Sequence, residues 1–210
     1  LFFGLAFALI LRAVEGYKGG AFVESALFFP YLLNVAIISI VWKWLLDPDF
    51  GLILSYLENL GLSPPTFLND EIWAVPVVAF ATAWWLAGYR MVIFKAALED
   101  IPEQVYEMSK IDGANFLTRF FKITLPLLKP SILFSFVLTA ISAFRVLGQI
   151  QMMTAGGPGR SSEVLALYLY REGWQYFNMG RAAAIGFILF LVILFFTLVA
   201  FKVLGFGSNY

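Results

Sequence analysis

Between Arg181 and Lys202 the chain reads Ala182-Ala-Ala-Ile-Gly-Phe-Ile-Leu-Phe-Leu-Val-Ile-Leu-Phe-Phe-Thr-Leu-Val-Ala-Phe201, twenty residues without a charged side chain. A helix rises 1.5 Å per residue, so this run is as long as the roughly 30 Å of hydrocarbon in a bilayer. Its apolar residues are continuous and do not alternate, which selects a helix over a barrel strand. In lipid every backbone N–H and C=O must find a partner within the protein, and a helix achieves this within one segment. The run predicts a membrane span over Ala182 to Leu204.

Four more apolar stretches extend the pattern outward: a partial one at Leu1 to Leu11, then Ala26 to Leu46, Ile72 to Leu98 and Ser131 to Met153. The whole chain is 61% hydrophobic and 13% charged, against about 45–50% and about 25% in soluble domains. The expectation is an all-α, polytopic transmembrane helical bundle with about five spans visible, forming one domain over residues 1–210. Pro30, Pro76 and Pro130 stand near the starts of expected spans, where a missing N–H costs least. Trp42-Lys43-Trp44 reads as an interfacial anchor, and Asn34 as polar glue between helices. The chain opens inside an apolar run with no initiator Met, so the expectation is that it starts part-way through a span and that an N-terminal part is missing.

Charge placement predicts orientation. Asp47 to Glu71 carries five acidic residues and no Lys or Arg, and it is punctuated by Asp47-Pro48, Phe50-Gly51 and Ser63-Pro64-Pro65; it reads as an external loop. Glu99 to Lys129 carries Lys110, Arg119, Lys122 and Lys129, with Lys95 just before it. The excess of cations in cytoplasmic loops places that loop inside. By alternation Arg12 to Glu24, with Arg12 and Lys18, and the tail after Lys202 are also cytoplasmic. Thr154 to Arg181 then lies outside, even though it holds Arg160, Arg171 and Arg181. The chain has zero formal net charge, no Cys and no His. This argues against broad nucleic-acid binding and removes disulfides, thiolate metal sites and imidazole catalysis.

The basic loop carries the most specific signal. Ile101-Pro102-Glu103 begins a helix, with Pro in the first turn and an acid at the positive end of the dipole. Val105, Met108 and Ile111 fall on one face and Glu103, Glu107 and Lys110 on another. Asp112-Gly113 ends the helix, Gly suiting a left-handed residue there. A second helix is expected from about Asn115 to Leu125, ended by Pro126. Glu107-Met108-Ser109, three residues, Gly113, nine residues and Ile123-Thr124-Leu125-Pro126 resemble the EAA loop of binding-protein-dependent ATP-binding-cassette importer permeases. The spacing agrees throughout. The departure is Met108-Ser109, where two alanines are usual.

Trp42 to Gly51 resembles the W-K-W-L-x-x-P-D-x-G of the carbohydrate-uptake branch, and Ile111-Asp112-Gly113-Ala114 its I-D-G-A. Met153 to Pro158 resembles its T-x-G-G-P and Arg181 to Ala184 its G-x-A-A-A. With Tyr168-Leu169-Tyr170, these fit the first permease of maltose-type importers better than the second. The resemblance implies a type I importer permease that moves a small polar solute, a saccharide above all, by alternating access across the bacterial inner membrane. It also implies three kinds of partner: a second permease subunit, an ATPase dimer that binds ATP and Mg, and an external solute-binding protein. Glu107, Met108, Ser109, Asp112, Gly113, Ala114 and Pro126 would then couple the chain to the ATPase.

Charged side chains inside spans usually face a bundle interior or an aqueous cavity. Arg145, with Gln149 one turn later, is a candidate for the solute path; the alternatives are snorkelling to the interface or pairing with an acid such as Glu163. Thr82, Trp85 and Tyr89 share one helical face suited to the apolar face of a sugar ring. The resemblance adds Thr139. Packing or an interfacial belt is the competing reading for the Trp-bearing face. No nucleophile and base, phosphate-cradling loop or metal-ligand spacing is present, so no catalytic or metal residue is expected. ATP hydrolysis is assigned to another chain. The rival functions are a self-sufficient carrier or channel and an intramembrane enzyme, and the missing catalytic groups disfavour the enzyme.

Overall fold

In the computed structural model, the structure describes residues 1–13 and 19–204, with the backbone alone for Ala13 and Leu204. Lys18 and the tail beyond residue 204 lie outside the described residues. Among these every regular element is helical. The elements are α1 (Phe2–Ala13), α2 (Gly20–Leu32), α3 (Val35–Leu45), α4 (Leu52–Asn59), α5 (Ala74–Glu99), α6 (Glu103–Ile111), α7 (Phe116–Arg119), α8 (Leu125–Leu127), α9 (Lys129–Phe144), α10 (Gly148–Met153), α11 (Leu165–Tyr170) and α12 (Met179–Leu204). A short 3-10 turn covers Phe67–Asn69, and π-helical stretches cover Phe120–Thr124 and Arg171–Gln175.

Of the five expected spans, α5 and α12 are single apolar helices long enough to cross a membrane, and up to four crossings result if each bent pair counts as one. The stretch Ala26 to Leu46 is interrupted at Leu33-Asn34. Asn34 is not interhelical glue: its Oδ1 accepts the Ala36 N–H at 2.9 Å and caps α3. That supplies a partner to an N–H that a new helix start leaves open. Pro30 sits inside α2, not at the start of a span. Ser131 to Met153 is likewise two helices, α9 and α10, separated by Arg145 to Leu147. Asp70 closes the turn that leads into α5, its Oδ1 accepting from Ile72 and Trp73 N–H at 2.8 and 3.1 Å and its carbonyl from Ala74 N–H at 3.0 Å.

Contacts divide the chain into two bodies. The first comprises residues 1–13, 19–31, 86–139 and 196–204. Its core joins Ala8 and Leu11 of α1 to Met91, Phe94 and Leu98 of α5, with Ile101 and Leu128. Gly88 lets α5 approach α2 closely, for a Cβ there would lie 2.5 Å from Leu27 O and 2.8 Å from Phe28 Cα. Small residues of this kind set helix spacing where lipid offers no hydrophobic drive between helices. The second body comprises residues 32–85 and 140–195, with Leu46, Leu54, Leu68, Val78, Ala81, Ile150, Met153 and Leu167 at its core. Trp42 makes edge contacts with Phe80 and Trp84 there, each at 5.7 Å.

Candidate functional site

The loop from Glu99 to Lys129 is built as a helix, a turn and a second helix. In α6, Glu103 occupies the first turn and Lys110 the last, both favourable to the dipole. Gly113 takes φ +76°, and the turn is closed by Gly113 N–H to Lys110 O at 3.0 Å and Ala114 N–H to Ser109 O at 2.9 Å. Asn115 opens the next helix by accepting the Thr118 N–H at 2.8 Å.

One face of α6 is anchored. Ser109 is buried and its hydroxyl donates to Tyr106 O at 2.7 Å. Tyr106 OH receives Arg12 Nη1 at 3.0 Å and bonds Thr124 Oγ1 at 3.1 Å, while the Arg12 guanidinium stands 4.3 Å from the ring centre. Arg12 also donates to Leu98 O at 3.2 Å. The opposite face is bare: Glu107 and Asp112 are exposed, as are Met108 at 66% and Ile111 at 85%. Of the three apolar positions on the expected face, Met108 and Ile111 therefore point outward and Val105 is half-buried, because Ser109 and Tyr106 occupy the packed side. At the departure from two alanines, Ser109 is the residue that packs and Met108 the one that does not.

Pro126 does not end the second helix. It lies exposed within α8, and just before it the backbone widens into the π stretch Phe120–Thr124, Leu125 N–H reaching Phe120 O. A proline cannot donate to the carbonyl four residues back and its ring crowds it, and an inserted π turn is one way to carry the helix past that point. The break comes two residues later, at Leu128, where the helices bend by 66°.

The candidate path residues occupy scattered positions. Thr82 and Trp85 lie in the second body, Thr82 Oγ1 donating to Val78 O at 2.7 Å and Trp85 Nε1 to Leu33 O at 3.2 Å. Tyr89 lies in the first body, stacked on Tyr31 at 5.0 Å. Thr139 Oγ1 donates to Ser135 O at 2.6 Å. Arg145 and Gln149 are not on one continuous helix: Arg145 is exposed in the break, beside Leu169, Tyr170 and Trp174, whereas Gln149 is buried in α10. Glu163 binds Arg160 and Arg171 instead of Arg145.

Arg90, which the sequence reading passed over, is buried in α5 with Nε and Nη1 lacking hydrogen-bond partners among the described residues. It is the one charged residue between Ile72 and Phe94, the same signal that drew attention to Arg145.

The three arginines in the loop expected outside are all paired. Arg160 and Arg171 share Glu163, Arg171 also donates to Ala155 O at 2.7 Å, and Arg181 pairs with Glu172 at 3.3 Å. Burial pushes the Glu172 carboxyl up, but hydrogen bonds from Asn178 and Arg181 and the Arg181 charge outweigh it and hold the group below the ordinary carboxylate range. A lowered folded value contributes stability above that range and loses it as pH falls through the lowered value. Glu172→Gln is therefore expected to lower the thermal midpoint at neutral pH, with variant and wild type converging in acid. A midpoint-versus-pH series measures this. Among the described residues no group of three or more His, Cys, Asp or Glu is placed to hold a metal ion.

Residues 3–204 match the family described as binding-protein-dependent transport system inner membrane component. The chain is 30% identical over its full length to the probable ABC transporter permease protein YurN of Bacillus subtilis, covering 72% of that protein. It is 34% identical over 95% of its length to the trehalose/maltose transport system permease protein MalF of Thermococcus litoralis, covering 67% of it. The sulfoquinovosyl glycerol transport system permease protein SmoG of Agrobacterium fabrum is 28% identical over 97% of the chain and 66% of that protein. The chain spans 59% to 72% of the length of such curated relatives. Its fold superposes on a chain of a bacterial ABC transporter involved in import of the acidic polysaccharide alginate, with TM-score 0.87 and 24% identity over 99% of this chain and 73% of that one. A second structure of a bacterial alginate ABC transporter, in complex with an alginate pentasaccharide-bound periplasmic protein, gives TM-score 0.82 and 25% identity over 95% and 70%.

Proposed function

We propose, from the premise that this chain belongs to the family of inner membrane components of binding-protein-dependent transport systems, that it is a permease subunit of an ATP-driven importer for a saccharide or related small polar solute. It acts as a single transmembrane permease domain over residues 1–210 and alternates access to the solute between the two sides of the inner membrane. Its partners are a second permease subunit, an ATPase dimer that carries ATP and Mg, and an external solute-binding protein. The observation that carries the reading is the two-sided α6: pinned through Ser109 and Tyr106 on one face, and bare at Glu107, Met108, Asp112 and Ile111 on the other. Exposed apolar residues beside acids at a helix tip form a docking surface, and the pinned face passes movement of the docked partner into α1 and α5. Gly113, Ala114 and Pro126 hold the turn and the helix that continue this path. Co-purification tests the assignment: an ATPase and a second permease are expected to remain with the chain, and their absence would leave the rival of a self-sufficient carrier or channel.

Two further outcomes follow from this reading. The loop holding α6 faces the cytoplasm and Asp47 to Glu71 the outside. Ser109 is a poor reporter because it is buried, so cysteines are placed at Ser63 and Gln104, both exposed. An impermeant thiol reagent added to intact cells is expected to label Ser63→Cys and spare Gln104→Cys; labelling of the latter alone reverses the orientation. The solute path takes in Arg145, Gln149, Thr139 and the Thr82, Trp85, Tyr89 face. Arg145→Met is expected to cut uptake about ten-fold or more, the scale of one lost charge-assisted hydrogen bond, with assembly and basal ATPase intact. Loss of assembly instead would make Arg145 a packing residue.

A further inference from the structure

Beside the pinned face of α6 the first body contains a cavity of about 470 Å³ whose charges are unbalanced: Arg12, Lys110 and Arg119 line it with a single carboxylate, Glu103. Lys110 and Arg119 form no ion pair among the described residues. Arg119 Nε is buried and has no hydrogen-bond partner there. Arg12 commits Nη1 to Leu98 O and Tyr106 OH, which leaves its other donors for a ligand. The hydroxyls of Tyr106 and Thr124, 3.1 Å apart, lie in the same wall.

A buried guanidinium N–H without an acceptor is costly, and the planar fork of arginine matches two oxygens of a phosphate. Phe116 and Phe120 border the charged groups, Phe116 being largely exposed, so the site joins a cationic centre to an apolar flank. Basic pockets among membrane helices on the cytoplasmic side suit lipid headgroups in this way.

We propose that this cavity binds a phosphate-bearing anion, with its phosphate oxygens on Arg119, Arg12 and Lys110, and that the bound anion steadies α6 against the helix that follows Gly113. The source is an anionic phospholipid headgroup or a soluble phosphate. The inference rests on the cytoplasmic placement of this loop proposed above and is independent of the solute carried.

The test uses the whole importer complex in detergent and phosphate-free buffer, mixed with phosphatidylcholine alone, with phosphatidylcholine plus phosphatidylglycerol, or with phosphatidylcholine plus inorganic phosphate. Retained lipid is read by native mass spectrometry, and the thermal midpoint of the complex is recorded. A lipid source predicts selective retention of phosphatidylglycerol, reduced about ten-fold or more in Arg119→Gln and Lys110→Gln, on the scale of one charge-assisted hydrogen bond. Arg119→Lys is expected to fall between. A soluble source predicts a rise in midpoint with inorganic phosphate in phosphatidylcholine, absent in the same variants. If Arg119→Gln does not assemble, Lys110→Gln decides, because its exposed side chain has no structural bond to lose. Equal retention and equal midpoints in wild type and Lys110→Gln would overturn the site. Uptake by the wild type in phosphatidylcholine alone separates a failure here from a failure of the transport assignment.

Discussion

Gly113→Val is expected to abolish solute uptake by the reconstituted importer while its two membrane subunits stay associated. The residue has φ +76°, and a Cβ there would meet nothing within 4 Å. Space is not what demands glycine; backbone conformation is. A left-handed residue with a Cβ costs about 1–2 kcal/mol, more when it is β-branched. The turn can relieve that cost by giving up its Gly113 to Lys110 and Ala114 to Ser109 hydrogen bonds, which tilts α6 away from the helix capped by Asn115. Asparagine tolerates the left-handed region, so Gly113→Asn is expected to retain a large part of the activity. Glu107→Ala, which removes a charge from the bare face, is expected to weaken ATPase recruitment without touching the turn. Uptake and solute-stimulated ATPase in vesicles decide the matter. If Gly113→Val and Glu107→Ala together leave both rates at the wild-type level, the loop is a connector and the coupling role fails.

Gly88→Val should have an effect as large, by the opposite cause. Its new Cβ would collide with Leu27 O and Phe28 Cα, backbone atoms that no rotamer change can move. The collision forces α2 and α5 apart and opens the packing around Met91 and Phe94. Even Gly88→Ala overpacks this contact, at a cost of about 1–3 kcal/mol, and valine adds to it. The expected result is little folded protein for Gly88→Val and a clearly lowered thermal midpoint for Gly88→Ala. Gly180→Ala, where a Cβ meets nothing within 4 Å, should be close to neutral. Wild-type yield and midpoint in Gly88→Val would mean that α2 does not seat on this residue.

The two glycines also mark what could be read from sequence. Gly113 was legible because its signal is local: a capped amphipathic run followed by Asp-Gly. α5 and α12 were legible because hydropathy alone defines them, and Asp70 fixes the turn from which α5 starts. Gly88 was not legible as a contact, since its importance lies in Leu27 and Phe28, some sixty residues earlier. The breaks at Leu33-Asn34 and Arg145 to Leu147 were hidden for another reason. Hydropathy sums apolar residues and is blind to the backbone angles that interrupt a helix, so only Asn34, a residue fit to cap, hinted at the first. Exposed Met108 and buried Ser109 invert the usual reading of an amphipathic helix, which assigns apolar residues to the packed face, whereas here Tyr106 and Ser109 take it. Arg145 and Gln149 lost their helical relation with the break between them, and Arg90 was available from the same rule applied evenly along the chain.

The Tyr106 junction has a mechanical character of its own. Its hydroxyl is tied to Arg12 and Thr124 at 3.0 and 3.1 Å, and the Arg12 cation lies over its ring at 4.3 Å. Hydrogen bonds weaken steeply as their angles open, whereas attraction of a cation to a ring face persists over a range of positions near the centroid. A pull along the phenol axis therefore strains two directional bonds at once, and a twist about that axis turns the ring face away from the Arg12 cation. The joint therefore resists both pulling and twisting, like a keyed shaft. In the coupling role proposed for this loop, a push and a turn applied at the tip of α6 would both pass through Tyr106 and Arg12 to α1 and α5.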